Sequence, residues 1–427
     1  MPPALYQPYP MQPSASVSVT PILDLIEPLP AKRTIKTRYI LLGVLIGLLG
    51  TGLLIALHDI RWPEFLRPVI FFFREAGWAL RFWDRQFLFG GLVALWIAFM
   101  LSVVIHELGH FVVGRAVGLR LHTLQLGPFR FSFEFGNLRV RIVPAIVMGG
   151  YAAMHIRTCA RLRRKLAKFV FAGPGANLVC GVLALTLVRT PRFLPSVRVW
   201  STLAPFGLIS LFCCGISLLP IRSRGGLYTD GTRLLLLRRA SPETLRWYAI
   251  MGIGMQQQAG RRARDWNRRW VTMASRPGDH SWDALLGAYL AYASASDRKD
   301  EPAAAASMEA CLSLLPPAQL PFRDTIINEA GVFQAWFRRD AEKANAWFAR
   351  VGRPGNLNPI LLARAGVARH FVRGELDSAY AEWSKGLTLI EGFRDTLQRD
   401  AARQSWLEWK QEMEERQAAH TVVSVQS

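Results

Sequence analysis

The sequence predicts a mainly α-helical membrane protein: a polytopic bundle of about four spans with a small β-hairpin or sheet insertion, followed by a soluble helical repeat-like domain. Three observations support this prediction. Hydrophobic residues make up 51% of the 427-residue chain, and many lie in runs long enough to cross a bilayer. A stretch between two of these runs alternates with period two. The region after about residue 241 is polar and repetitive.

The chain divides into four segments on this basis. Residues 1–38 form a proline-rich tail with a basic flank, and the tail is predicted to be disordered. Residues 39–240 form the membrane core, residues 241–415 form the helical domain, and residues 416–427 form a second tail.

Four apolar runs are predicted to span the membrane. They are Tyr39–Leu57, Phe87–Val113, Lys168–Val188 and Leu203–Pro220. Trp62–Trp83 mixes aromatic and basic residues, which suits an amphipathic segment at the bilayer surface or a re-entrant loop better than a full span.

The net charge of +21 is distributed beside these apolar runs. Basic residues cluster before the first run, between the second and third runs, and after the fourth. By the positive-inside rule, the N-terminus and the helical domain are both expected to be cytoplasmic. The charge is therefore attributed to contacts with the lipid bilayer, and no nucleic-acid partner is expected.

The loop at residues 114–167 contains the alternating stretch. Its apolar positions are Leu124, Leu126, Phe129, Phe131, Phe133, Phe135, Val140 and Ile142. Gly127-Pro128 and Gly136-Asn137 supply turn signals, so a hairpin or a three-stranded sheet is predicted. The edge of such a sheet can bind an extended peptide strand by β-addition. A simple covering loop is the alternative that periodicity leaves open.

Two histidines and a glutamate stand inside the second predicted span, as His106-Glu107-Leu108-Gly109-His110. The i,i+4 spacing brings both imidazoles to one helix face, where they can share a metal while Glu107 acts on a metal-bound water. Ionisable groups at membrane depth are costly and persist where coordination compensates for them. The motif predicts an intramembrane zinc (Zn) site, and a buried helix with two hydrogen-bonded histidines is the alternative.

Asp230 is the third candidate ligand, in Thr229-Asp230-Gly231 after the fourth predicted span. A catalytic zinc takes three protein ligands and keeps one position for water. The predicted topology brings both halves of the site to the cytoplasmic side. A helix-capping aspartate is the alternative reading of this residue.

The helical domain contains a repeat with a period of thirty-five residues, since Val332–Trp347 recurs as Val367–Trp383. Tyr289–Met308 is a weaker copy. This period predicts tetratricopeptide-like helix pairs, with generic helical packing as the alternative. Stacked helix pairs present a concave binding face, so a peptide or protein partner is expected.

Four motifs together resemble the site-2 protease family of intramembrane zinc metalloproteases, over about residues 87–235. They are the His-Glu-Leu-Gly-His pentapeptide, Phe171-Ala-Gly-Pro-Gly-Ala-Asn177, Gly149-Gly150-Tyr151, and Pro220 with Asp230-Gly231. The zinc helix is the second span, as in the compact branch that includes the sporulation-factor proteases. The family's Asn three residues before the Pro is replaced by Ser217, and the spacing from Pro220 to Asp230 is longer than the common form.

The resemblance implies roles for individual residues. His106, His110 and Asp230 would bind zinc, Glu107 would be the general base, and Asn177, Gly149, Gly150 and Tyr151 would bind substrate. The implied activity is hydrolysis of a peptide bond in or near the transmembrane segment of a membrane-anchored protein, by regulated intramembrane proteolysis. The alternative is a catalytically silent membrane adaptor that works through its helical domain.

Overall fold

The computed structural model describes residues 22–24, 88–134, 136–142, 150–189, 197–221, 228–239, 241–276, 278–315, 321–352 and 354–426. The predicted first span Tyr39–Leu57, the amphipathic segment Trp62–Trp83, and Gly149 lie outside these residues. Within them the protein is mainly helical and contains one small antiparallel sheet, as the sequence predicts.

Three apolar helices pack against one another: α1 (Leu88–Ala116), α2 (Leu162–Arg189) and α3 (Val197–Leu218). Among the described residues, α1 and α2 are long and apolar enough to cross a membrane. The apolar part of α3, Leu203–Leu218, is shorter. Helix α2 begins before the predicted Lys168, because the hydropathy of the sequence marks only its apolar part and not the basic turn that precedes it.

The loop between α1 and α2 folds into a four-stranded sheet of order β3-β2-β1-β4. Its strands are β1 (Leu119–Leu126), β2 (Phe129–Glu134), β3 (Asn137–Ile142) and β4 (Gly150–Ile156), and each neighbouring pair is antiparallel. The sequence predicts the first three strands. It does not predict β4, because Gly150–Ile156 does not alternate between polar and apolar residues.

The register of the sheet aligns the start of β4 with an apolar row. Gly150 pairs with Leu126, Leu126 with Phe129, and Phe129 with Ile142. Directly paired residues point to the same face of an antiparallel sheet. Helix α1 packs against β1 and β4, so β4 lies at the edge of the sheet and next to the helix that carries the histidines.

Among the described residues, ten further α-helices follow α3. They are α4 (Asp230–Arg239), α5 (Pro242–Gln258), α6 (Arg268–Ala274), α7 (Trp282–Asp297), α8 (Glu301–Ser313), α9 (Pro321–Trp336), α10 (Ala341–Ala349), α11 (Pro359–Val372), α12 (Leu376–Glu391) and α13 (Thr396–Gln426). The last helix continues through the segment that the sequence analysis separates as a C-terminal tail.

Most helix starts in this region are capped by a side chain. Ser241, Asn267, Ser281, Asp300, Asp340 and Asn358 each accept a hydrogen bond from a backbone N–H of the first turn. Each cap satisfies a donor that the helix itself cannot pair, and is typically worth about 1 kcal/mol. These caps explain why an Ala-rich sequence divides into short helices at defined positions.

The helices after α6 associate as successive pairs: α7 with α8, α9 with α10, and α11 with α12. The pairs stack, because α8 also contacts α9, and α9 contacts α11. Helix α13 closes the stack through two tryptophans: Trp383 Nε1 donates to the Trp406 carbonyl at 2.9 Å, and Trp406 Nε1 donates to the Trp383 carbonyl at 2.8 Å. The repeated segments of the sequence therefore correspond to helix pairs.

A short 3-10 turn, Ile22–Asp24, is bound against α8, α9 and α10. Leu23 is 3% exposed and belongs to the hydrophobic core of the first two helix pairs. These three residues therefore depart from the disorder predicted for the tail, because Leu23 finds an apolar pocket that only the folded helical domain provides.

Candidate metal centre

Helix α1 presents His106 and His110 one turn apart, with their Nε2 atoms 3.2 Å from each other. Asp230, the first residue of α4, reaches the same point from the other side. Its Oδ2 lies 3.0 Å from His106 Nε2 and 3.6 Å from His110 Nε2. Two residues from one helix and one residue more than a hundred positions away thus direct three donor atoms to one place.

This arrangement fits zinc. Bonds of about 2.0–2.1 Å at tetrahedral angles place neighbouring ligand atoms roughly 3.3 Å apart. The three observed separations lie close to that value, and the three atoms all lie within 4.8 Å of one another. Two imidazoles and one carboxylate are donors that zinc accepts, and they leave a fourth position free for water.

Asp230 is held in place by the loop that precedes α4. Thr229 Oγ1 donates to the Leu219 carbonyl, which ties the loop back to the end of α3. Gly231 makes this approach possible, because a Cβ at that position would lie 1.8 Å from the Leu218 carbonyl oxygen. Burial alone would raise the pKa of the Asp230 carboxyl, but hydrogen bonds with His106 and His110 outweigh it and lower the pKa.

The helical domain also supports the Asp230 segment. Arg233, one turn after Asp230, forms a bidentate ion pair with Asp283 of α7, with Nη2 3.0 Å from Oδ1. The Arg233 guanidinium stacks over Trp247 at 4.6 Å from the ring centroid. Asp283 is 5% exposed, so this ion pair is buried. The position of the third donor therefore depends on packing between α4 and the domain that follows it.

Groups on α2 contact the Nδ1 atoms of the two histidines and orient their rings. His110 Nδ1 lies 2.7 Å from the Phe169 carbonyl oxygen, and His106 Nδ1 lies 3.3 Å from Asn177 Nδ2. A hydrogen bond donated by Nδ1–H leaves Nε2 of the same ring free to bind a metal, which is the usual arrangement around zinc-binding histidines. Asn177 is fully buried, and its Oδ1 has no hydrogen-bond partner among the described residues. With its amide turned over, Oδ1 would accept the His106 Nδ1 proton.

Gly173 of α2 leaves the space in which the donors meet. A Cβ at this position would lie 2.4 Å from His110 Nε2 and 2.7 Å from His106 Nε2. Any side chain at Gly173 would therefore intrude among the ligand nitrogens. Gly173 belongs to the Phe171–Asn177 motif, but the sequence alone assigns it no role of its own.

Glu107 and Gly150 are in direct contact beside the donor atoms. Glu107 is 7% exposed, and a Cβ at Gly150 would lie 2.4 Å from its Cγ. The start of β4 therefore runs immediately past the proposed general base. Tyr151, 49% exposed, follows Gly150 on the opposite face of the sheet.

Comparison with known proteins agrees with this geometry. The profile of the peptidase family M50 matches residues 94–398, which include α1, the sheet, α4 and most of the helical domain. The chain belongs to peptidase family M50. Membership of this family of membrane-embedded, site-2 protease-type metalloproteases, together with the His-His-Asp group, implies zinc as the cofactor.

Two curated relatives of this M50 protein are described as putative zinc metalloproteases. Rip2 of Mycolicibacterium smegmatis is 29% identical over 151 residues, covering 33% of this chain and 58% of the relative. A Chlamydia pneumoniae protein is 31% identical over 117 residues, covering 22% of this chain and 18% of the relative. The match to each relative thus spans less than two thirds of its length. No solved structure matches the chain.

The structure places the predicted site residues of the M50 chain at different distances from the donor atoms. The structure brings His106, Glu107, His110, Asp230 and Gly150 together, whereas Tyr151 points to the other face of the sheet. The Asn177 amide contacts His106 at Nδ1, and its contact with substrate stays a prediction. Ser217, at the position of the family's Asn, donates to the Cys214 carbonyl at 3.0 Å within its own helix. The Phe169 carbonyl leaves no sequence signal, since any residue could supply it.

The position of Asn177 predicts a specific effect on metal binding. Asn177→Ala should lower the zinc affinity of this M50 peptidase by about 10–100-fold, because His106 loses the group that orients its ring. Asn177→Asp should retain most of the affinity, since a carboxylate oxygen can accept the Nδ1 proton. Competition with a chromophoric zinc chelator measures both values. Equal affinities for the Ala variant and the wild type would exclude this positioning role.

Proposed function

We propose that this chain is an intramembrane zinc metalloprotease that hydrolyses a peptide bond in or near the transmembrane segment of a membrane-anchored protein, in regulated intramembrane proteolysis. The observation that carries the proposal is the convergence of His106, His110 and Asp230 beside Glu107, on a helix long and apolar enough to cross a membrane. A metal-binding group with an adjacent carboxylate is suited to metal-assisted peptide hydrolysis, and ionisable groups at membrane depth are usually functional.

The proposed chemistry assigns one role to each part of the site. Zinc, when bound, supplies Lewis acidity and makes water acidic enough to react near neutral pH. Glu107 accepts a proton from the attacking water as the new C–O bond forms at the scissile carbonyl carbon. The same carboxyl group then donates that proton to the amine nitrogen as the C–N bond breaks. The products are a carboxylate and an amine, and Glu107 returns to its starting state.

We propose that the substrate reaches Glu107 as an extended strand at the start of β4. A helical substrate hides its backbone carbonyls, so the segment to be cut must unwind first. The edge position of β4 favours strand addition, and the absence of a side chain at Gly150 leaves the backbone close to Glu107. Gly149 and Tyr151 are proposed to extend the same edge. The covering-loop alternative would place substrate elsewhere.

The proposed topology has four spans, with the N-terminus and the helical domain in the cytoplasm. The bound Ile22–Asp24 turn supports an even number of crossings, because residue 24 and the helical domain must lie on the same side of a membrane if they touch. The charge bias of the loops supports the cytoplasmic side. Reporter fusions after residue 60 and residue 300 test this topology: the first is expected outside and the second inside, and the reverse would contradict it.

The helical domain is proposed to recruit substrate or a regulator. Its stacked helix pairs at a thirty-five-residue period favour a tetratricopeptide-like solenoid over generic packing. The domain also supports Asp230 through Arg233, so a partner bound there would be coupled to the metal centre by packing.

The proposal is tested by a cleavage assay on the full chain purified in detergent, with single-span membrane proteins as candidate substrates. We expect bound zinc near one per chain, a cut within or next to the apolar segment by mass spectrometry, and loss of the products when a chelator removes the metal. A metal-free protein whose products resist chelation would contradict the proposal and favour the adaptor alternative.

A further inference from the structure

We propose that the helical domain contains a binding groove for a short linear peptide, formed by α8, α9 and α10. The groove would bind a leucine followed by an aspartate, and it would also form hydrogen bonds with the backbone of the leucine. The chain's own Ile22–Asp24 is the resident ligand, bound within the same molecule. This site is independent of the metal centre and of the proposed protease activity.

Side chains from three helices form hydrogen bonds with the backbone of Leu23. Its N–H donates to Glu309 Oε2 of α8 at 2.9 Å, and its carbonyl accepts from Gln334 Nε2 of α9 at 2.7 Å and from Trp347 Nε1 of α10 at 3.0 Å. Both polar groups of one residue are thus satisfied by side chains. Sequence-tolerant affinity through the main chain is the hallmark of peptide recognition.

The polar side chains that line the groove suit a peptide ligand, because a hydrophobic core seldom contains such groups. Gln334 is fully buried and Trp347 is 1% exposed. Both donate to the Leu23 carbonyl, so removing the segment takes this acceptor from both donors. Buried polar groups are almost always paired in native proteins, and unpaired ones are costly. A backbone at this position therefore pairs two donors that a purely apolar ligand would leave unpaired.

Side chains supply the selectivity. Leu23 enters the hydrophobic cluster that includes Met308, Cys311 and Leu312 of α8, where a smaller side chain would leave a void. Asp24 Oδ1 lies 3.6 Å from Lys343 Nζ and 3.3 Å from Gln334 Nε2. An apolar pocket followed by a cationic and an amide donor fits a Leu-Asp pair.

The bound turn lies far in the sequence from the helices that form the groove. Leu23 is separated from Glu309 by 286 positions and from Trp347 by 324. Because the turn is part of the same chain as the groove, a contact of three residues can be occupied without high intrinsic affinity. A free peptide of the same sequence should therefore bind well only when the resident segment is disabled.

The test uses a fluorescein-labelled synthetic peptide with the sequence of residues 17–29 as probe, and the full chain in detergent as receptor. Leu23→Asp in the chain should expel the resident segment and increase the affinity for the probe by at least about tenfold over the wild type. Leu5→Asp, the same change earlier in the tail, is the matched control and should behave as wild type. Replacing the leucine of the probe at position 23 by Ala should weaken its binding to the Leu23→Asp chain by at least about tenfold.

A charge exchange between Lys343 and Asp24 tests whether the groove recognises the aspartate or only packs against the segment. In the Leu23→Asp background, Lys343→Glu should weaken the natural probe about threefold and strengthen a probe carrying Asp24→Lys by a similar factor. Lys343 and Asp24 are about one third exposed, so neither change threatens the fold. Equal binding of the probe to the wild-type and Leu23→Asp chains would overturn the proposal. The proposal would also be overturned if Lys343→Glu left the relative affinities of the natural probe and the Asp24→Lys probe unchanged.

Discussion

Glu107→Gln is expected to lower the rate of substrate cleavage by about 10²–10⁴-fold, the range that general acid-base groups contribute, while zinc binding stays near the wild-type level. The amide has the size of the carboxyl group, so the contact with Gly150 is preserved. It cannot accept the proton of the attacking water. The donor atoms of His106, His110 and Asp230 are unchanged, so the metal should be retained.

The measurement pairs initial cleavage rates with zinc content per chain by plasma mass spectrometry. Glu414→Gln, at an exposed position of α13, makes the same chemical change away from the site and should cleave at the wild-type rate. A Glu107→Gln protein that cleaves normally would remove Glu107 from the mechanism. Loss of zinc in the same variant would instead indicate that the carboxylate is a ligand.

Gly173→Ala is expected to lower zinc affinity by at least about 100-fold and to abolish cleavage with it. The added methyl group would approach both ligand nitrogens within 2.7 Å, where real Cβ contacts do not occur. Because Gly173 lies inside α2, the change to Ala should otherwise stabilise the helix by up to about 1 kcal/mol. The variant should therefore be folded and metal-free, which a helical circular dichroism spectrum and a chelator competition establish.

Gly175→Ala provides a matched control on the same helix. Among the described residues, a Cβ there would meet only the Phe171 ring, with Cε1 at 3.4 Å and Cδ1 at 3.6 Å, which are ordinary van der Waals distances. Zinc affinity and cleavage should remain near wild type. If both glycine variants bind zinc equally well, the metal does not lie between the two Nε2 atoms, and the geometry of the site would need another explanation.

The sequence predicts the local part of the metal centre, because the relation of His106 to His110 follows from helical periodicity alone. It predicts Asp230 only through ligand chemistry and resemblance, since packing decides the distance between His106 and Asp230, which are 124 positions apart in the sequence. The roles of Gly173 and Gly231 are not predicted, although both stand in motifs that carry the resemblance, because a residue that works by leaving space has no side chain to recognise.

The sheet and the tail show the same limit. Cross-strand alternation identifies β1 to β3, whereas β4 is defined by its partner β1 and by α1, which no local pattern encodes. Composition predicts a disordered tail and misses Leu23, because a single buried residue contributes nothing to an average over thirty positions. Helix pairs α9–α10 and α11–α12 are anticipated well, since a repeated pattern combines weak signals.

The bound Ile22–Asp24 turn also has a consequence for the order in which the protein is made. Leu23 leaves the ribosome early, whereas Gln334 and Trp347 are synthesised more than three hundred residues later. The contact therefore forms only after the chain has been synthesised as far as Trp347. A chain that lacks the Ile22–Asp24 turn would keep an open apolar pocket beside donors without this acceptor, the kind of surface that chaperones and proteases bind. Binding of the turn thus joins an early segment of the chain to a late one.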